Sequence, residues 1–284
     1  MLRYVSESTG EEINLTGNHI KAHIKTSGFY DYEYDIEEIE TVNSVEVEQF
    51  YLKSKQYDLI LDFRGNREER AKAAERFFTI TNRDVVYKKI GKLYFKDQYL
   101  NCYIVGSKYE NADRARLVRK TAGVYAPKPI WITEMKRSFQ KIINGSDRTE
   151  EFLDYEHDYN YDYTMPYGGD VIWKVDHYAP CEYEMIVYGP CVDPRVVING
   201  HIYQVYATLD ENDYLKINSR ENSVVQYLAN GAQRDLYDYR VKITGSLFEP
   251  ITPGNIRVVW SGEFGFDLTL FCERSEPRWK TQDS

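Results

Sequence analysis

The sequence predicts a mainly β chain of two domains, the first carrying one packed helix and the second built as a β-sandwich or jelly roll. Three observations lead there. Tyrosine outnumbers phenylalanine 26 to 12, a bias that suits half-buried strands and wet interfaces, where the ring packs and its hydroxyl stays solvated. Runs alternating between apolar and polar residues recur along the chain, the period-two signature of strands with one buried face. In the second half, turn signals fall about every 8 to 12 residues, the spacing of a sandwich. At 284 residues the chain exceeds one domain of about 100 to 150 residues and falls short of three.

In the first half, YDLILDF puts Leu59, Leu61 and Phe63 on one face of a strand. Gly65 then turns the chain, and Asn66 with Glu69 three residues on forms a capping-box pattern. Ala71, Ala74, Phe77 and Phe78 follow on a helical stripe, so a helix is expected over about 67–81. GKLYFKD and QYLNCYIVGSKYE, joined by a short polar connection, read as a hairpin. RARLVRKTAGVYAPKPIW is a further strand that ends at Pro127 and Pro129, because proline removes ladder donors. The first domain is therefore drawn at 1–135.

From Glu134 to about Tyr163 the pattern dissolves into polar, charged and tyrosine-rich sequence, read as a linker or arm over 136–163 at the head of a second domain, 136–284. Within that domain VVINGHIYQVYATL turns at Asn199–Gly200, two residues that tolerate positive φ. The runs YLKIN, SVVQYL and LYDYRVKI follow, then NIRVVW. In the last run Phe264, Phe266, Leu268, Leu270 and Cys272 share the core face.

Charge and composition exclude several classes. A net charge of −9 opposes tight binding to a phosphate backbone, so sequence-specific nucleic-acid recognition is not expected, although DNA passing an acidic surface is compatible with it. The opening MLRYVSESTGEEINL lacks a basic segment followed by an apolar one, and no run of 18 apolar residues occurs, which predicts a soluble, cytosol-made chain without membrane insertion. Cys102, Cys181, Cys191 and Cys272 form no C-x-x-C pair and are expected as core thiols. Cys181 and Cys191 flank a strand and turn and could reach each other, but without a secretory signal the bond has little oxidising opportunity.

Candidate chemistry is sparse. His19 and His23 are four apart, a zinc spacing on a helix, but they sit in strand-like alternation with no third ligand near, so no metal is expected. The segment EHDYNYDY, with Tyr155 just before it, brings His157, Asp158 and Asp162 together in a pattern that could suit calcium or a sugar but reads as a solvated acidic linker, in which Tyr155, Tyr159, Tyr161 and Tyr163 are candidate contacts for a partner or glycan. No nucleophile elbow, phosphate loop, zinc-protease or dinucleotide glycine motif occurs, and no cofactor is expected. Glu249, Glu263, Asp267 and Glu273 are the candidate acids. Along one strand Asp267 and Glu273 stand roughly 20 Å apart at about 3.4 Å per residue, and Glu249 and Glu263, at opposite ends of NIRVVW, roughly 15 Å or more. Glycosidase carboxylates stand about 5 to 9.5 Å apart, so no paired acid chemistry and no enzyme is expected.

The order of these features resembles the siphophage distal tail protein family, a siphovirus-type phage tail component. The resemblance is carried by YDLILDFRG, REERAKAAERFF, GKLYFKDQYLNCYIVG and YAPKPIW in the first half. In the second half it is carried by YGPCVDPRVVINGHIY, YLKINSRENSV, LFEPITPGNIRVVW and CERSEPRW. It implies a β-barrel-like domain with one packed helix followed by a galectin-like β-sandwich. It also implies a structural role in the virion tail, encoded by a phage or prophage and made in the bacterial host cytoplasm. Six copies would form a hexameric ring at the end of the tail tube, bound above to tail-tube protein and below to the tail-associated lysin or tip protein. The first domain would close the ring around a DNA channel, and the second would point outward to dock receptor-binding proteins; direct binding of host glycan varies within the family. The rival reading is a carbohydrate-binding module of a baseplate or cell-surface protein, motivated by the sandwich pattern and its Tyr and Trp residues.

Overall fold

A computed structural model describes residues 1–110, 117–142, 169–242 and 245–278. The chain divides into two units, Met1–Thr133 with Glu273–Ser284, and Glu134–Cys272. The closing segment thus belongs with the unit in which the chain began.

The first unit runs through β1 (Leu2–Val5), β2 (Glu12–Asn14), β3 (Ile20–His23), β4 (Asp35–Glu40), β5 (Val45–Tyr51) and β6 (Lys55–Arg64). Helix α1 (Arg67–Val86), β7 (Gly91–Phe95), β8 (Gln98–Glu110), β9 (Leu117–Ala126) and the first residues of β10 (Trp131–Phe139) complete it. The pairings β1–β2, β1–β7, β3–β6, β4–β5, β6–β9, β7–β8, β8–β9 and β8–β10 are antiparallel. The expected hairpin is β7–β8, with Gly91 opposite Cys102 and Phe95 opposite Gln98. Beyond that point β8 changes partner: Tyr103 lies opposite Tyr125 and Glu110 opposite Arg119 of β9, with a register shift between Ile104 and Gly106. One strand therefore serves two ladders, β2–β1–β7–β8 on one side and β8–β9–β6–β3 on the other. A bulge bends the strand where it passes between them. Both ladders cover one core, in which Leu59, Leu61, Phe63, Phe77, Leu93 and Trp131 are buried.

The second unit contains β11 (Gly169–Val175), β12 (Glu182–Tyr188), β13 (Cys191–Val192), β14 (Arg195–Ile198), β15 (His201–Gln204) and β16 (Thr208–Leu209). It continues with β17 (Tyr214–Asn218), β18 (Ser223–Tyr227), β19 (Gln233–Asp235), β20 (Gly254–Trp260) and β21 (Phe266–Arg274), whose last residues return to the first unit. The ladders β19–β18–β17–β12–β21 and β11–β20–β14–β15 form the two layers of a sandwich. Tyr183, Met185, Leu215, Leu268 and Leu270 from one layer meet Trp173, Val196, Ile256, Val258 and Trp260 from the other in one core. The parity read from the sequence holds, since Phe264, Phe266, Leu268, Leu270 and Cys272 are all buried. Asn199 and Gly200 join β14 to β15 with φ of 51° and 86°, the paired left-handed conformation that matches the twist of a hairpin.

Three local expectations shift. Strand β10 continues through Phe139, past the start expected for the linker, because Phe139 is buried and stacks on Phe266 at 4.6 Å while Met135 packs against the same core. Within LYDYRVKI the described residues, 236–242, form no strand but a short 3-10 turn at Tyr237–Tyr239. Leu236 is its one buried anchor, Tyr239 N–H closes back on the Leu236 carbonyl at 3.0 Å, and the Arg240 guanidinium lies over the Tyr237 ring.

The helix starts as read, with Asn66 accepting from the Glu69 amide and Glu69 accepting from the Asn66 amide, but it runs on to Val86. The added turn contains β-branched residues of modest helix propensity. Tertiary anchoring supplies the difference, through buried Asp84. Its carboxylate accepts hydrogen bonds from the Tyr4 hydroxyl at 2.6 Å, the Ser6 hydroxyl at 2.8 Å and the Ser8 amide at 2.9 Å. Burial, and then the bond to Asp84, push the Tyr4 hydroxyl far above the usual phenol range, so it stays a donor. Gly91 gives the ring room, since a Cβ there would fall 2.1 Å from the Tyr4 hydroxyl. Asp84→Ala is expected to cost about 3 kcal/mol and Tyr4→Phe about 1 kcal/mol, read as a lower urea midpoint with unchanged slope. Equal effects from the two would show that the three donors find other partners.

Candidate functional site

Among the described residues β4 and β5 pair only with each other. The alternation of VEVE in β5 favours a strand, and the turn is closed by the Thr41 amide donating to the Ser44 carbonyl at 2.8 Å. Ile36 lies opposite Phe50, and after a register shift Glu38 lies opposite Val47 and Glu40 opposite Val45. Cross-strand partners share a face. One face therefore carries Ile36, Val45, Val47 and Phe50, with exposures of 54, 58, 49 and 61%, together with Glu38 and Glu40. A two-stranded sheet is marginal in water without something packed on it. Covering these four half-exposed side chains is worth on the order of 4 kcal/mol before the entropy of docking is subtracted. The segment is also strongly acidic: from Glu33 to Glu48 there are seven carboxylates and no Lys or Arg.

On the same unit a cavity of about 490 Å³ opens between α1 and the β2–β3 connection, with Ile13, Ile20, Ala73 and Phe77 at its apolar wall and Glu69, Lys72 and Arg76 beside them. Arg76 is exposed and holds Glu11 at 3.1 Å. The surrounding stretch from Arg64 to Lys96 has ten Lys and Arg against four Asp and Glu. Apolar volume beside bases is the complement of apolar side chains beside acids.

The residues singled out from sequence do not converge. Tyr155, Tyr159, Tyr161 and Tyr163 lie outside the described residues. His19 is exposed at the groove, whereas His23 bonds Asp62 at 2.7 Å. Asp62 is buried on β6, where Arg119 grips it through both oxygens at 2.7 and 3.1 Å. Burial alone would raise its pKa, but hydrogen bonds from Arg119 and His23 outweigh that and bring it down to about 2. Three of the four acids stand beside local partners. Asp267 accepts from the Tyr188 hydroxyl at 2.8 Å, and burial together with that bond pushes Tyr188 up to about 12. Glu273 pairs with Lys128 at 2.9 Å, Glu249 stands 3.9 Å from His201, and Glu263 is exposed in a turn. Cys181 faces Cys272, not Cys191, with the sulfurs 3.6 Å apart. The hairpin face was not read from the sequence, although VEVEQF held the signal, apolar residues spaced by acids.

No family model and no curated protein matches the chain. Among solved structures the fold is similar to that of a phage adsorption-hub protein and of a phage baseplate. In particular it matches the crystal structure of the SPP1 Dit protein, a paradigm of the hub adsorption apparatus in phages infecting Gram-positive bacteria, at 9% identity and a TM-score of 0.57 over 96% of this chain and 99% of that one. It also matches the phage P2 baseplate in its activated conformation with Ca, at 11% identity and a TM-score of 0.59 over 98% of this chain and 100% of that one. The same baseplate with Sr gives 11% and 0.56 over the same shares. At these identities the likeness is one of fold, and it spans both units.

The Asp62 cluster gives a pH dependence with a definite sign. Its folded pKa, about 2, lies below the ordinary carboxylate value, so its contribution is complete above about pH 4 and is lost as pH falls towards 2. That contribution is about 2 kcal/mol. Urea midpoints measured from pH 6 down to pH 2 should fall less steeply in Asp62→Asn than in the parent; parallel curves would contradict the assignment.

Proposed function

We propose that this chain is a structural protein of a phage or prophage tail, the distal tail component or baseplate hub, assembling as a ring at the end of the tail tube. The observation that carries the reading is the fold likeness to SPP1 Dit and the phage P2 baseplate across essentially the full length of each chain. The unpaired β4–β5 hairpin supports it from the chain's own chemistry. In this reading the hairpin of one copy enters the groove between α1 and the β2–β3 connection of the next. The contact joins two different surfaces, and repetition of such a contact closes a ring when the rotation between copies allows.

The ring is hexameric, with the tail-tube protein above and the lysin or tip protein below, and the part within 1–135 surrounds the DNA path. The part within 136–284 faces outward and docks receptor-binding proteins, with Tyr155, Tyr159, Tyr161 and Tyr163 as the contact for a partner or for host glycan. No step of catalysis belongs to this role. The acids have structural partners or lie in turns, and the protein acts by connecting tube to tip in the virion.

Native mass spectrometry and negative-stain microscopy of the protein, alone and mixed with tail-tube and tip proteins, are expected to show six-membered rings. Monomers in every mixture would overturn the reading. The double variant Val47→Lys, Phe50→Glu is expected to keep the parent's melting temperature within about 2 °C, since both positions are exposed. Its self-association is expected to weaken about 100-fold, corresponding to about 3 kcal/mol. Rings that survive this change would place the subunit contact away from the hairpin.

A further inference from the structure

We infer that Cys181 and Cys272 form a latent disulfide site, reduced during synthesis and closed once the protein meets an oxidising medium. The pairing of β12 with β21 sets Glu182 opposite Phe271, so one residue further along each strand Cys181 stands opposite Cys272. Both backbone groups of Cys181 are used on its other side, where its amide and carbonyl exchange 2.9 Å hydrogen bonds with Ile251. The two cysteines are therefore a non-hydrogen-bonded antiparallel pair, for which the Cα separation is about 4.5 Å and side chains approach most closely. A disulfide spans Cα separations of about 4.4 to 6.8 Å. The sulfurs already lie 3.6 Å apart as thiols, and small χ1 rotations bring them to the bonded distance of about 2.05 Å.

The oxidant is a small-molecule disulfide such as oxidised glutathione. One cysteine, as thiolate, attacks a glutathione sulfur and expels one glutathione thiolate. The second cysteine, deprotonated in turn, attacks the protein sulfur of this mixed disulfide and expels the other. The protein loses two protons and two electrons, and one oxidised glutathione becomes two reduced. Both thiols are buried, at 1% and 0% exposure, so exchange proceeds through opening of strand ends and is slow in the folded protein. A cytoplasm keeps such a pair reduced, whereas a particle released from the cell carries it into an oxidising environment; this timing rests on the virion reading, while the site itself does not. The bond would close a loop between positions 91 apart, a length at which cross-linking strongly restricts the unfolded chain.

The test is to equilibrate the full-length protein in glutathione buffers of graded ratio, once as folded protein and once by refolding from urea, then to alkylate and map peptides by mass. A peptide pair joining Cys181 to Cys272 is expected, with a mass loss of about 2 Da for the two hydrogens. A rise in melting temperature on the order of 10 °C over the same protein in dithiothreitol is also expected, and both should be absent in Cys272→Ser. Refolded protein that stays fully alkylatable in the most oxidising buffer, or that joins Cys181 to Cys191, would overturn the site. Ring formation in dithiothreitol, measured separately, reports on the tail reading, so either idea can fail without the other.

Discussion

Strand β8 is the constraint on which the first unit depends. Its 13 residues must satisfy two ladders at once, and both ladders must face the same core. A straight strand cannot do this, because its side chains alternate strictly between faces. The register shift between Ile104 and Gly106 resolves the conflict by inserting Val105, which points outward at 47% exposure. Gly106 and Gly123 lie opposite each other at the bend, so no cross-strand side-chain pair crowds the point of strongest twist. Everything else in the unit is arranged around that turn. The β1–β7 ladder carries Tyr4 to Asp84, and the β9–β6–β3 ladder carries Arg119 and His23 to Asp62. Each end of the bent sheet is thus tied by one buried carboxylate.

How much of this was legible follows from the range of each signal. The capping box of Asn66 and Glu69, the left-handed turn at Asn199–Gly200 and the buried parity from Phe264 to Cys272 are set within a few residues, and all three were read correctly. The last turn of α1 was not read, because its cause is Asp84 reaching residues nearly eighty positions away. The end of β10 was missed for a similar reason: Arg137 and Lys136 disguise a strand whose anchor, Phe139, is explained only by Phe266. LYDYRVKI misled in the opposite direction, since an alternating string is a strand only where a neighbour offers a complete ladder, and Val205 offers Arg240 a single bridge.

The candidate site shows the same division. The face of β4–β5 is a local property and was present in the alternation of valines and glutamates. The groove is not local, because Ile13 and Ile20 precede Phe77 by more than fifty residues. Tyr155, Tyr159, Tyr161 and Tyr163 stand out by composition alone, whereas the hairpin is the surface whose physical state calls for a partner: four half-exposed apolar side chains beside acids, and no third strand among the described residues.

The charges of that hairpin also decide what kind of contact can cover it. If two copies met face to face through the hairpins, the contact would set Glu38 and Glu40, beside Val47 and Val45, near their own equivalents. Like charges brought together cost free energy, more so as water is excluded from between them. A two-fold, self-complementary contact therefore works against its own apolar gain. In the proposed contact with the groove the acids would instead meet Lys72 and Arg76, although Glu69 lines the groove too and Arg76 already holds Glu11. In that reading the acids that oppose a symmetric dimer would steer the hairpin onto a different surface of the next copy, and a contact between unlike surfaces would leave each copy with one hairpin and one groove to offer. Such a contact propagates until the rotation per copy closes it. In the proposed assembly the acidic hairpin therefore favours a ring over a pair before any partner protein is present.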